Sequence, residues 1–244
     1  MARIELRDAT IRIKDGLSGT AAVDVVSPSA SGDTSLDIDT VALNTVVTDL
    51  VPIGARFTIA GEAESPVHTV TARTPSTSGP TTNIAFTPAT STGVLDDAVI
   101  TFLPQQLTVT IGEGNLTWTV SKDYEYLLDR GNLDTVREND QVPMDVNLDS
   151  VYEFITTGTS ESVSPYDAMN GEGGASEWVS SSTDLCEPYA VDLEIEHDPP
   201  CGSAQSETTL IPDFRYDSLD VDLDAATLSF TGRANTVKPT VTRS

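Results

Sequence analysis

The chain has 244 residues, enough for one large or two modest domains, and carries 38 acidic against 13 basic side chains for a formal charge of −25. So few cations argue against a surface that binds nucleic acid by neutralising phosphates, and Val, Ile and Leu in alternating runs separate the chain from acidic disordered sequences. No run approaches the roughly 18 apolar residues of a membrane span, and MARIELRDAT lacks the apolar core and cleavage site of a signal peptide, so the expectation is a protein made and kept in the cytosol, without membrane insertion.

In chain order, Ile4, Leu6, Ile11 and Ile13 alternate with Arg3, Glu5, Arg7, Arg12 and Lys14, the period of a strand or extended arm with one buried face. Arg3, Arg7, Arg12 and Lys14 are four of the 13 positive charges, which makes them candidate contacts for a neighbouring subunit; a solvated strand face explains them equally well. The Ser, Pro and Gly run from Ser27 to Thr34 reads as a linker. Strand-like runs follow at SLDIDTV, ARFTIAG, VHTVTAR, TTNIAFT and DAVITFLP, separated by Pro and Gly turns, and together they suggest a small barrel closing at Pro104. A strand precedes this stretch and the main pattern resumes after it. It therefore reads as a domain, residues 27–104, inserted into a domain made of 1–26 and 105–244.

The stretch from Gln106 to Ile155 is the most informative. With Glu113 and Gly114 as a tight turn, Ile111 faces Leu116, Val109 faces Trp118 and Leu107 faces Val120 on one surface, while Thr108, Thr110, Thr117 and Thr119 share the other. Asp129, Arg130, Gly131 and Asn132 supply turn chemistry before a long connection through Thr135 to Gln141. Val142, Met144, Val146 and Leu148 read as a strand, and Val151, Tyr152, Phe154 and Ile155 as a short helix capped by Asp149 or Ser150. In SPYDAMNG, Ser164 at the cap, Pro165 at the first position and Gly171 past the end signal a second helical turn.

Two C-terminal strands each bury one face and present carboxylates on the other: Asp192, Glu194 and Glu196 in one, Asp220, Asp222 and Asp224 in the next. A strand from Ala226 to Ala234 follows, and the tail KPTVTRS reads as unstructured. Asp220, Asp222 and Asp224 imitate the start of a calcium loop, but Ala225 and Thr231 stand where that loop needs Gly and Glu. Carboxylates in a row about 6.6 Å apart along a strand also cannot wrap one ion, so no metal is expected. His68 and His197 lie in no nucleophile or zinc motif and read as surface residues. GEGN and GEGG lack the lysine of a phosphate loop and read as turns, so neither a catalytic site nor a cofactor is expected. Cys186 and Cys201 bracket YAVDLEIEH, an awkward span for a disulfide; unpaired thiols, a bridge and pairing between subunits all stay open.

The order of features, a GEGN hairpin, YEYLLDRGNLDTVRENDQVPMDVNLDSVYEF, a short helix and a final pair of strands ending LSFTGRAN, resembles the tail tube proteins of long-tailed bacteriophages. The resemblance implies a mainly β protein, an antiparallel β-sandwich or barrel with one or two short flanking helices, that forms stacked hexameric rings around a channel for DNA. It implies a virion tail subunit assembled in the host bacterial cytoplasm, with other copies of itself and other tail proteins such as the tape measure and terminator as partners. In that family the loop carrying Asp129, Arg130 and Arg137 would reach the adjacent ring. The acidic rows would then line the channel, repelling phosphates so that DNA passes without sticking, although a solvated sheet face accounts for them as well. An acidic all-β adhesin or carbohydrate-binding module is the alternative.

Overall fold

A computed structural model describes residues 9–24, 30–43, 51–63, 65–75, 82–111, 115–152, 163–182, 184, 186–197 and 206–243. The strands are, in order, β1 (Ala9–Lys14), β2 (Gly19–Val23), β3 (Ser35–Leu43), β4 (Arg56–Ile59), β5 (His68–Pro75), β6 (Thr82–Thr87), β7 (Val99–Leu103), β8 (Gln106–Val109) and β9 (Leu116–Thr119). They continue with β10 (Tyr124–Asp129), β11 (Asn132–Glu138), β12 (Met144–Val151), β13 (Val191–His197), β14 (Glu207–Asp222), β15 (Thr227–Ala234) and β16 (Thr240–Arg243); among the described residues an α-helix, α1 (Pro165–Asn170), and a 3-10 turn, Gly173–Ala175, lie between β12 and β13. The fold is mainly β, with antiparallel pairing, and divides into two compact units: Met1–Ile13, Leu107–Met169 and Ala190–Ser244 in one, Lys14–Gln106 and Asn170–Tyr189 in the other.

The second unit is a closed six-stranded barrel in the order β2-β3-β6-β5-β4-β7. Period-2 alternation builds it: Phe57 and Ile59, Ile84 and Phe86, and Ile100 and Phe102 point inward from their strands and pack on Ile38 and Val70. The five runs expected as strands are β3 to β7. The sixth strand is β2, whose Ala21 and Val23 are buried in the same core. The expected boundary at residue 27 therefore shifts to Lys14, because the Ser, Pro and Gly run joins two paired strands of one barrel, and such a run marks a loop as readily as a linker.

Residues 170–189 complete this unit. Arg73 forks onto the Glu177 carboxylate at 2.8 and 3.2 Å and also donates to the Val51 carbonyl. Asp15, fully buried, ties three chain segments together: its carboxylate accepts from the amides of Leu17, Gln105 and Val179, and its own amide donates to the Gln105 carbonyl. Burial, with the Asp15 charge nearby, pushes the Tyr189 phenol well above its ordinary range.

The first unit is one sheet in the order β8-β1-β13-β14-β15-β12-β9, with β16 added to β14. Val151 donates to the Thr110 carbonyl just past β8, so the β8 end of the sheet returns to β12. β8 pairs with β1 and β9 with β12, at opposite ends of the strand order, so the expected register between them does not form; the turn itself lies outside the described residues. Val109 and Leu116 are buried as the alternation requires, while Trp118 and Val120 are exposed. Val151 ends β12 as a strand residue instead of starting a helix; residues 153–162 lie outside the description.

β14 is sixteen residues long. Its first half pairs with β13 and its second with β15, and bulges near Pro212 and at Asp217 shift its phase twice. The tail expected to be unstructured supplies β16, paired from Thr240 to Arg243 with Leu210 to Glu207. α1 matches its sequence signal: the Ser164 hydroxyl accepts from the Asp167 amide, Asp167 accepts from the Ser164 amide, and Gly171 follows at φ 64°.

Candidate functional surface

Two surfaces of the sheet unit stand out. On the first, the side of β12, β15, β14 and β9 facing away from Met144, Val146, Leu148, Leu228 and Phe230 is polar. Register places Asp145 beside Arg233 and Thr119, Asn147 beside Thr231 and Thr117, and Asp149 beside Ser229, which is in turn beside Asp220. Ser218 and Asp222 extend the same face, and cross-strand neighbours of this kind lie about 5 Å apart. Side chains are knitted together: Ser229 donates to Asp149, Thr231 donates to Asn147 at 2.7 Å, and Arg233 donates to Asp145 at 3.2 Å. The face carries Asp145, Asp149, Asp220 and Asp222 against Arg215 and Arg233, a net of about −2 by formal charge.

The two acidic rows read from the sequence behave differently. Asp220 and Asp222 belong to this polar face and are exposed; Asp224 lies in the turn beyond the strand, where the Asp222 carboxylate accepts from its amide and from that of Ala225. Asp192, Glu194 and Glu196 are half-buried and engaged. Arg12 donates to Glu194 at 3.2 Å and to Glu196 at 2.5 Å, and Asp192 accepts from the Asp213 amide. Burial alone would lower the Arg12 pKa, but the hydrogen bonds and charges of Glu196 and Glu194 outweigh it and leave it raised. That row is partly neutralised within its own chain. Thr117 and Thr119, from the threonine surface of the Gln106 to Ile155 stretch, adjoin Asn147 and Asp145 on the same face.

The second surface is the hairpin of β10 and β11. What the sequence suggested as a turn followed by a long connection is a two-stranded sheet, with Tyr124 opposite Glu138 and Asp129 opposite Asn132. Arg130 and Gly131 both take left-handed backbone, φ 51° and 88°, as a two-residue turn between twisted strands requires. No other described strand hydrogen-bonds to this pair. Tyr126 faces Val136 and Leu128 faces Leu133, and these four are 59, 56, 62 and 75% exposed. Tyr124 adds to the apolar side, with the Lys122 ammonium 5.8 Å from its ring centroid.

Of the residues expected to contact a neighbouring subunit, Asp129, Arg130 and Arg137 are exposed on this hairpin. Arg12 is committed to its own chain's glutamates, Lys14 is half-buried, and Arg3 and Arg7 lie outside the described residues. Cys186 is an exposed free thiol; Cys201 lies outside the description. His197 is half-buried at the end of β13. His68 is the clear departure: the surface position expected for it is a fully buried one inside the barrel, because it shares the phase of Val70 on β5. Among the described residues no group of three or more His, Cys, Asp or Glu side chains is placed to hold a metal ion. Comparison with known proteins finds no matching family model, no matching curated protein and no matching solved structure.

Proposed function

We propose that this protein is a structural subunit of a long-tailed bacteriophage tail, joining copies of itself into rings that stack as the tail tube, with the polar, acidic sheet face turned to the channel. The observation that carries the reading is the β10–β11 hairpin. An isolated two-stranded hairpin is at best marginally stable in water, and soluble monomers seldom leave a contiguous apolar patch uncovered. Tyr126, Leu128, Leu133 and Val136 form such a patch, which a second copy of the chain would cover. The sequence resemblance supplies the kind of assembly, hexameric rings in series, and its further partners, the tape measure and terminator.

The channel role follows from charge. A wall of fixed cations would bind the DNA backbone by displacing its counterions, whereas hydroxyls and carboxylates give a wetted surface that repels it. Sedimentation velocity tests the assembly claim with the full chain and a Tyr126→Ser, Leu133→Ser variant. The expected outcome is concentration-dependent association of the wild-type chain and a monomeric variant with an unchanged melting temperature for the subunit. A wild-type chain that stays monomeric, or a variant that associates equally well, refutes it.

A further inference from the structure

The sheet unit leaves two strand edges open. β14 pairs with β13 only as far as Phe214, and from Ser218 to Asp222 it has β15 on one side and no described strand on the other. Among the described strands β16 pairs with β14 alone, and all four of its residues are exposed. Each edge carries uncovered aliphatic side chains: Val221 and Leu223, 49 and 75% exposed, at the first, and Val241, 45% exposed, at the second. Open edges of this kind are templates for pairing with another chain.

The two edges differ in sign. Asp220, Asp222 and Asp224 lie between Ser218 and Ala225 with no cation among them, and Asp222 accepts from the amides of Asp224 and Ala225 in the turn into β15. From Ala225 to Ser244 the chain has Arg233, Lys238 and Arg243 and no acid, in a protein of net charge −25. Arg233 is paired with Asp145, which leaves Lys238 and Arg243 for the β16 edge. Acids on the strands beside that edge are engaged: Glu207 accepts from Arg243 at 2.7 Å, and Glu194 and Glu196 accept from Arg12. The Arg243 side chain stays 66% exposed, so its guanidinium, with several donors, can take a second carboxylate. Leu210, opposite Thr240, and Asp222 stand at the two ends of this stretch of β14, roughly 40 Å apart at about 3.3 Å per residue. That is several Debye lengths, so the two edges cannot satisfy each other within one chain.

We propose that the acidic β14 edge of one copy docks on the β16 edge of a second copy, with Val221 and Leu223 against Val241 and with Asp222 and Asp224 facing Lys238 and Arg243. The contact rests on the self-assembly proposed above and adds its direction. Unlike surfaces meet and each copy offers one of each, so copies join head to tail with a single polarity instead of pairing off as closed dimers. Like-charged edges repel, which disfavours the reversed arrangement.

Sedimentation velocity on the full chain tests the contact in ~50 mM and ~500 mM salt. One variant reverses the acidic edge, Ser218→Lys, Asp222→Asn and Asp224→Lys, the amide keeping an oxygen for the turn; the other reverses the basic edge, Lys238→Glu and Thr242→Glu. Wild-type association should weaken at least about tenfold between the two salts, and each variant alone should associate about tenfold more weakly than the wild type at the lower one. An equimolar mixture of the two should regain wild-type association, because each reversed edge then meets its complement. A variant that alone associates as tightly as the wild type, a mixture with no gain, or a wild-type chain that stays monomeric overturns the contact. If a variant fails to fold, the wild-type salt dependence decides, and association unchanged or stronger at ~500 mM salt overturns it. The hairpin patch is intact in both variants, so the two claims separate. Association lost in Tyr126→Ser, Leu133→Ser but unchanged in the charge variants keeps the hairpin and removes this contact; the opposite result removes the hairpin and keeps this contact.

Discussion

Asp15 gives the sharpest test of what holds the barrel unit together. Its carboxylate is fully buried and accepts three backbone amides, from Gln105 at 2.6 Å, Leu17 at 3.2 Å and Val179 at 3.3 Å, so it joins the two ends of the main barrel stretch to the 170–189 segment. Replacement by Ala strands two buried donors and the part-buried Val179 amide. A hydrogen bond to a charged group contributes roughly 1.5–3 kcal/mol, and the three share one acceptor group, so Asp15→Ala should cost about 4 kcal/mol, much of a typical domain's stability of about 5–15 kcal/mol. Asp15→Asn keeps one acceptor oxygen but turns an NH2 group towards a donor, and should lose about 2–3 kcal/mol. The chain has two tryptophans, Trp178 in the barrel unit and Trp118 in the sheet unit, so in a Trp118→Phe background urea unfolding followed by fluorescence reports the barrel alone. Losses below about 1 kcal/mol for Asp15→Ala would show that water or a shifted backbone satisfies those amides and that the clamp does not exist.

Gly232→Ala should destabilise the sheet unit by about 1–3 kcal/mol in denaturant unfolding, because an added Cβ would lie 2.1 Å from the Arg215 carbonyl oxygen, where the β14 bulge brings the backbones together. A double-mutant cycle on Arg73→Ala and Glu177→Ala should give a coupling of about 1 kcal/mol, since the fork is bidentate but the Glu177 side chain is 39% exposed and screened. In particles assembled from Asp145→Lys, Asp220→Lys subunits the polar face changes from about −2 to +2 per subunit, so rings should form while DNA ejection slows; unchanged ejection rates would remove this face from the channel.

Where period-2 alternation ran unbroken, the elements were legible: Phe57 with Ile59, Ile84 with Phe86 and Ile100 with Phe102 marked three barrel strands and their buried faces directly. β14 was half hidden because Pro212 and the left-handed Asp213, then Asp217, each slip the phase by a residue, so only its last stretch read as alternating. β16 had no buried face to read, all four of its residues being exposed. In β10 and β11 the apolar alternation is present, but no other described strand pairs with them, and from sequence alone the turn at Arg130 and Gly131 reads as the start of a long connection. His68 could have been placed by its phase with Val70; its partner Glu62 is outside any strand, and no local pattern points to it. The polar face depends on which distant strands adjoin, Asp220 with Ser229 and Ser229 with Asp149, and composition carries no information on that pairing.

The assembly proposed for this chain is a tube built from its own copies. Electron microscopy of the purified full chain at high concentration tests it most directly. Stacked rings of uniform diameter around an open channel are expected, lost when Tyr126 and Leu133 are replaced by Ser. Dispersed single subunits at every concentration, with specific glycan binding on an array, would contradict it and favour the adhesin reading.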